Sequence, residues 1–149
     1  ASARSLPGRI IATDIDRKAV EAARKNARTA GVDGIIEFGV CDFRKTTLPS
    51  GGGVIVMNPA YGERMGEKAH LEGVYKGIGD FFKQHGTGYT GYILTGNPDL
   101  AGKVGLRTSR RTRFFNSNIE CRLLRYELYE GSRKRGPVST GENAARYDR

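Results

Sequence analysis

Tryptophan is absent from this 149-residue chain, and cysteine and histidine occur only twice each. No apolar run is longer than a strand. Each shortage closes off a class. Two cysteines, Cys41 and Cys121, cannot brace a disulfide scaffold and lack the paired spacing of a zinc site. A reducing, cytoplasmic setting is therefore expected. Runs this short cannot cross a bilayer as helices, and Ala1 to Pro7 carries no apolar signal core, so no membrane partner is expected. Acidic residues are also in deficit: 16 Asp and Glu face 25 Lys and Arg, a net charge of +9. Residues 103–149 hold 12 basic and 5 acidic side chains, an excess of +7. Such asymmetry fits a polyanionic partner, nucleic acid first, and fits a merely solvated surface equally well.

The length suits one domain. Arg9 to Thr13 is a β-prone run that ends at Asp14. Asp16 can cap a helix over Arg17 to Ala30, where Val20, Ala23 and Ala27 share a face and Gly31 follows as the stop. Ile35 to Val40 reads as a second strand, followed by Cys41-Asp42-Phe43. The triplet Gly51-Gly52-Gly53 marks a loop. Val54 to Met57 has the continuous apolar character of a central strand buried on both faces. Leu71, Val74, Tyr75, Ile78, Phe81 and Phe82 predict a helix over 70–85, against the cost of Gly73, Gly77 and Gly79. Tyr89 to Thr95 reads as a fourth strand. Asn97-Pro98-Asp99 opens a short helix. Phe114-Phe115 and Ile119 to Tyr129 predict a hairpin around Asn116-Ser117-Asn118. The order β-α-β-β-α-β-α-β-β predicts an α/β fold, mostly parallel, with a C-terminal antiparallel hairpin.

Ligands of such sheets sit beyond the carboxyl ends of the strands. Three polar residues fall at successive ends: Asp14, Asp42 and Asn58. A carboxylate at Asp14 matches the two hydroxyls of a ribose; alternatively it caps the next turn. Ile15 can cover an adenine face. Asp42, with Phe43 beside it, can accept from an adenine amine or simply face solvent. Pro59 holds Asn58 extended. The Asn58 side-chain oxygen and the Pro59 carbonyl can then converge on one planar amine and aim its lone pair outward. Tyr61 offers a ring on which a flat base can stack. An ordinary Asn-Pro turn is the other reading of this tetrapeptide.

Asn58-Pro59-Ala60-Tyr61 resembles the [Asn/Asp/Ser]-Pro-Pro-[Tyr/Phe/Trp] signature of S-adenosylmethionine-dependent amino-methyltransferases. The resemblance is closest to the THUMP-associated RNA guanine-N2 methyltransferases, including the ribosomal large-subunit RNA enzymes. It runs from about Gly8 to Tyr129. Thr13-Asp14-Ile15-Asp16, Ala22 to Ala27, Asp42, Tyr61-Gly62-Glu63-Arg64 and Asn118 to Leu124 carry the rest of it. It implies a Rossmann-like methyltransferase fold with S-adenosylmethionine as cofactor and RNA, ribosomal in kind, as partner. By that resemblance Asp14 holds the cofactor's ribose and Asp42 its adenine, with Ile15, Phe43 and Asn58 as the other candidate cofactor contacts. Asn58, Pro59 and Tyr61 position the exocyclic amine of guanine, and no metal is needed. The chain would be the C-terminal portion of the catalytic domain, over residues 1–130. The upstream segment with the first strand and its glycine-rich loop is lacking, and the isolated chain would be weakly active or inactive. Ala60 stands where the family has a second proline.

Two other functions fit the same residues: a non-catalytic RNA-binding module, and an adenine amino-methyltransferase acting on DNA. Arg64, Arg110, Arg111 and Arg113 are candidate RNA contacts, and at least one of Phe114 and Phe115 is expected in the core. Glu63 and Arg64 anchor the loop near the target base or form a surface ion pair. His70 and His85 are expected on a helix surface, and Cys121 in the core. Residues 131–149, with Arg133-Lys134-Arg135, are expected to be a flexible basic tail.

Overall fold

A computed structural model of the chain describes residues 6–62 and 67–130. Glu63, Arg64 and the expected tail at 131–149 lie outside the described residues. The elements follow the expected order: β1 (Ile10–Asp14), α1 (Arg17–Thr29), β2 (Ile36–Val40), β3 (Gly53–Met57), α2 (Lys68–His85), β4 (Tyr89–Thr95), α3 (Pro98–Lys103), β5 (Arg110–Asn116) and β6 (Ile119–Glu127). A 3-10 turn at Phe43–Lys45 follows β2. No described helix is long and apolar enough to cross a membrane.

Local chemistry sets the boundaries. The Asp16 side chain accepts the Lys18 N–H and starts α1, and Gly31, at φ 70°, turns the chain after it. Val20 and Ala27 are the buried positions of that helix. The Asn97 side chain accepts from the backbone of Asp99 and Leu100 at 3.0 and 3.1 Å. Pro98 then occupies the first turn of α3, as its missing N–H allows. Ser117 takes φ 55° in the two-residue loop between β5 and β6, a left-handed geometry that tight hairpins demand.

The strands form two sheets. β1 and β2 pair in parallel. The second sheet has the order β3-β4-β6-β5. β3 is parallel to β4, whereas β6 runs antiparallel to both β4 and β5. β1 and β3 are therefore both terminal strands among the described residues. This changes the environment expected of Val54 to Met57. Only Ile55 is buried, while Val54 and Val56 are 64% and 69% exposed, because α2 covers just one face of β3 and no described element covers the other.

The core lies between α2, α3 and one face of the four-stranded sheet. Tyr75, Ile78 and Phe82 meet Ile93, Leu100, Val104, Leu124 and Tyr126, all buried. Gly79 explains one of the helix glycines that counted against α2. A Cβ there would fall inside the Val104 carbonyl, so only glycine lets α2 approach the end of α3. Thr95 is the one buried polar residue among those described. Its hydroxyl pairs with the Tyr75 hydroxyl at 2.7 Å and accepts the Asn97 N–H at 3.1 Å.

The hairpin departs from expectation. β5 starts at Arg110, and β4 pairs with β6 only as far as Thr95 opposite Arg122. Phe115 is on the core-side face but in the part of the hairpin that overhangs the end of β4, and Phe114 points to the opposite face, so both are out of the core: Phe114 is 49% and Phe115 72% exposed. Cys121 is buried as expected, and both cysteines are free. His70 and His85 are exposed on α2, with the His85 ring 5.3 Å from that of Phe81.

Two outcomes follow from this packing. Gly79→Ala is expected to lower the unfolding free energy by about 1–3 kcal/mol, read as a lower urea midpoint at unchanged slope. Burial pushes the Tyr126 hydroxyl up to about 12, with Arg111 acting weakly in the opposite sense. A phenol that resists ionisation in the folded state contributes stability that is intact below pH 10 and lost toward pH 12. Tyr126→Phe should therefore shallow the fall in melting temperature over that interval. An identical fall in both proteins would count against the assignment.

Candidate functional site

The carboxyl ends of the parallel strands carry the polar residues singled out above. Asp14 closes β1, and Asp42 follows β2 by two residues. The Asp14 Oδ1 accepts the Asp16 N–H at 2.8 Å. The capping by Asp16 thus does not leave Asp14 wholly unengaged. Its second oxygen accepts from no described residue. An ionised carboxylate has about four acceptor positions, so those remaining still match a vicinal diol.

Asp42 is held more tightly. Its Oδ1 accepts the Arg44 N–H at 2.9 Å and its Oδ2 the Arg44 Nη1 at 2.8 Å. The backbone N–H of Arg44 is the main reason that the carboxyl lies below its ordinary pKa. Asp42 is therefore an oriented anion with acceptor positions to spare, suited to an amino group. Neighbouring Phe43 packs edge-on against Phe81, with ring centroids 5.9 Å apart, and the Arg44 guanidinium sits 4.7 Å from its centroid. Phe43 thereby ties the Asp42 turn to α2. Ile15 is 73% exposed beside Asp14. An apolar side chain at a strand end, flanked by an engaged carboxylate, fits a purine face. The two acids and Ile15 fit an adenosine group.

Asn58 follows β3 directly and is exposed, and its side chain bonds to no described residue. Both amide groups remain available to a ligand. Tyr61 is half-buried. Its hydroxyl lies 3.5 Å from the Cys121 sulfur, and its ring lies along Gly96. A Cβ at Gly96 would come within 2.8 Å of the ring. Gly96 and Cys121 were not legible as partners of Tyr61, since 60 residues separate Cys121 from it. They fix the ring at the end of β4, beside the strand that carries Asn58.

The basic residues divide by strand alternation. Arg111 and Arg113 share one face of β5, and Arg110 lies on the other, opposite Arg125. Behind Gly96 lies a pocket of about 460 Å³ between α3 and the hairpin. Arg111 and Arg122 line it, with Thr95, Pro98, Leu106 and Thr108 among their neighbours. No group of three His, Cys, Asp or Glu side chains is placed to hold a metal among the described residues.

Gly96→Ala is expected to push the Tyr61 ring away and open Cys121. The folded variant should then react with a thiol reagent at Cys121, mapped by mass spectrometry, at least several times faster than the parent. An unchanged rate would show that Gly96 does not seat the ring.

Comparison with known proteins bears on this arrangement. Residues 2–125 match the family described as UPF0020, RMKL-like, methyltransferase domain. The ribosomal RNA large subunit methyltransferase K/L of Syntrophotalea carbinolica is 39% identical over 125 residues, covering 81% of this chain and 18% of that protein. The protein of the same name from Legionella pneumophila is 35% identical over 120 residues, covering 80% of this chain and 17% of its own length. The chain thus spans under a fifth of the length of these relatives. Among solved structures, SMU.472 complexed with SAH superposes with a TM-score of 0.74 at 25% identity, covering 83% of this chain and 32% of that one. TrmN from Thermus thermophilus shares the fold with a TM-score of 0.67 at 20% identity, covering 83% and 37%. With the family's pattern matched across most of its length, the chain belongs to the UPF0020, RMKL-like methyltransferase-domain family.

Proposed function

We propose that this chain is part of an RNA methyltransferase that uses S-adenosylmethionine to methylate the exocyclic amine of a base, guanine N2 in ribosomal RNA. The observation that carries the proposal is that Asp14, Asp42 and Asn58 each fall at or just past the end of a parallel strand, with Tyr61, three residues after Asn58, seated on Gly96. The names of the curated relatives support RNA as the substrate class, and a structural neighbour complexed with SAH supports the cofactor. Guanine rests on the resemblance of the Asn58 segment and the late hairpin to the guanine-N2 enzymes.

In this reading Asp14 receives the ribose hydroxyls, and Asp42, oriented by Arg44, accepts from the adenine amine. Ile15 covers the purine and the exposed edge of Phe43 borders it. The cofactor, when bound, supplies an electrophilic methyl group. The Asn58 oxygen and the Pro59 carbonyl accept the two hydrogens of the target amine, so that its lone pair faces the methyl group. Tyr61 limits how far the base can tilt. Catalysis is then mostly positioning and desolvation of a weak nucleophile. A base within a duplex cannot reach such a cleft, so the target is single-stranded or flipped. A further strand between the open edges of β1 and β3, from the upstream part of the protein, would join the two sheets and bring Asp14 and Asn58 to one cleft. The two free thiols suit a reducing cytoplasm.

Asp14→Ala is expected to weaken S-adenosylhomocysteine binding at least tenfold in calorimetry, and an unchanged dissociation constant would remove the ribose role. In the complete protein, Asn58→Ala is expected to lower methyl transfer by at least a hundredfold while leaving that affinity within about twofold. Transfer to an RNA oligomer with guanine as its only exocyclic amine, and none to its adenine counterpart, is the result expected of a guanine enzyme. The reverse preference would overturn guanine and keep the site.

A further inference from the structure

The hairpin face behind Gly96 has a charge arrangement that the fold does not need. Arg113 and Arg122 stand directly opposite each other across β5 and β6. Like charges in that position destabilise a sheet. A single carboxylate lies between them: Glu120 is 3.8 Å from Arg113 and 3.5 Å from Arg122. Arg111 is the diagonal neighbour of Arg122, about 7–8 Å away at Cα. Its Nε already donates to the Thr108 hydroxyl at 3.0 Å, which orients the guanidinium. Arg111 and Arg122 both line the 460 Å³ pocket, whose floor includes the apolar side chains of Pro98, Leu106 and Leu124. Strand alternation places Phe115 on the same face as Arg111 and Arg113, opposite Glu120, and its ring is largely exposed. Gly96 is a wall of the pocket and also the seat of Tyr61.

Two arginines over an apolar floor, with an exposed ring farther along the same face, match a nucleotide chain: anionic at each linkage and flat at each base. We infer that this pocket and the Arg113–Phe115 face bind the single-stranded RNA adjoining the target base. A phosphate lies between Arg111 and Arg122, and a neighbouring base lies against Phe115. The inference rests on the reading of Tyr61 as the shelf for the target base, since Gly96 joins the two places. A phosphate there relieves the opposed arginines, whereas Glu120 competes with it. The role differs from diffuse attraction to a basic surface, because it depends on particular charges and is opposed by one particular acid.

The test is fluorescence anisotropy of a labelled ten-nucleotide single-stranded RNA, titrated with the 149-residue chain at salt from 50 to 200 mM. Arg111→Gln combined with Arg122→Gln is expected to weaken binding at least tenfold. It should lower the slope of log K against log salt by about 0.7, which is one single-strand phosphate contact. Lys25→Gln combined with Lys76→Gln removes the same charge elsewhere and should cost less than threefold. Glu120→Gln should tighten binding two- to fivefold, a gain that misfolding cannot imitate. Phe115→Ala should weaken binding without changing the slope. No RNA binding by the parent chain, equal losses in the two double variants, or no gain from Glu120→Gln would each overturn the inference. Displacement of the oligomer by guanosine 5′-monophosphate at equal concentration would identify a free-nucleotide site and overturn the assignment to a strand. The strand-end reading is judged separately. If Asp14→Ala leaves S-adenosylhomocysteine binding unchanged while the arginine variant loses RNA, that reading fails and this pocket stands. The converse pair of results removes the pocket alone.

Discussion

The hydroxyl of Thr95 is the point on which the arrangement turns. It is buried at the end of β4, pairs with Tyr75 of α2, and accepts the N–H of Asn97, whose side chain in turn caps α3. Each such bond contributes a net of about 0.5–1.5 kcal/mol, but a buried hydroxyl left without a partner costs about 1–3 kcal/mol. The stronger constraint is geometric. α2, β4 and α3 can be packed together only with these three polar groups in register, and Gly79 lets α2 close onto Val104 at the other end of α3. Gly96 follows Thr95 directly, so the same anchor sets the surface under Tyr61 and the wall of the arginine-lined pocket.

Around that anchor the two faces of the four-stranded sheet have different fates. The face under α2 and α3 is a dense core of Tyr75, Phe82, Ile93, Leu124 and Tyr126. The opposite face leaves Val54 and Val56 open. The β1–β2 pair is linked to the rest through the turn after β2: Phe43 packs against Phe81, and the Thr13 and Thr46 hydroxyls meet at 2.9 Å. The turn that orients Asp42 is therefore also the joint between the two sheets. A change at Arg44 would act on the carboxylate and on this joint together.

Much of this was legible before the structure. Period and punctuation place the nine α-helices and strands of the described residues in order, because their signals are local: Asp16 and Asn97 as caps, Gly31 as a stop, and apolar spacing through α2. The strand-end residues were also legible, since a parallel strand must end near its ligand edge. What escaped depended on distant partners. The contact of Tyr61 with Gly96 and Cys121 has no local trace, and neither does the pocket that Arg122 shares with Arg111. The apolar run Val54 to Met57 describes a strand made to be covered, but not which neighbours cover it. The two phenylalanines have real β propensity, but alternation turns Phe114 to the face away from α2 and the end of β4 leaves Phe115 on an overhanging hairpin tip. Of the two readings of Asp14, the turn-capping one is realised by one oxygen, which accepts the Asp16 N–H.

The central claim is that an adenosine-bearing cofactor sits across the ends of β1 and β2 and reaches toward Asn58. Titration of the isotopically labelled chain with S-adenosylhomocysteine, followed residue by residue by amide NMR, tests it most directly and detects even millimolar binding. Saturable shifts concentrated at Asp14, Ile15, Asp42 and Phe43, with the outer face of α1 unmoved, are the expected result. Saturable shifts elsewhere, or none at these positions, would contradict it.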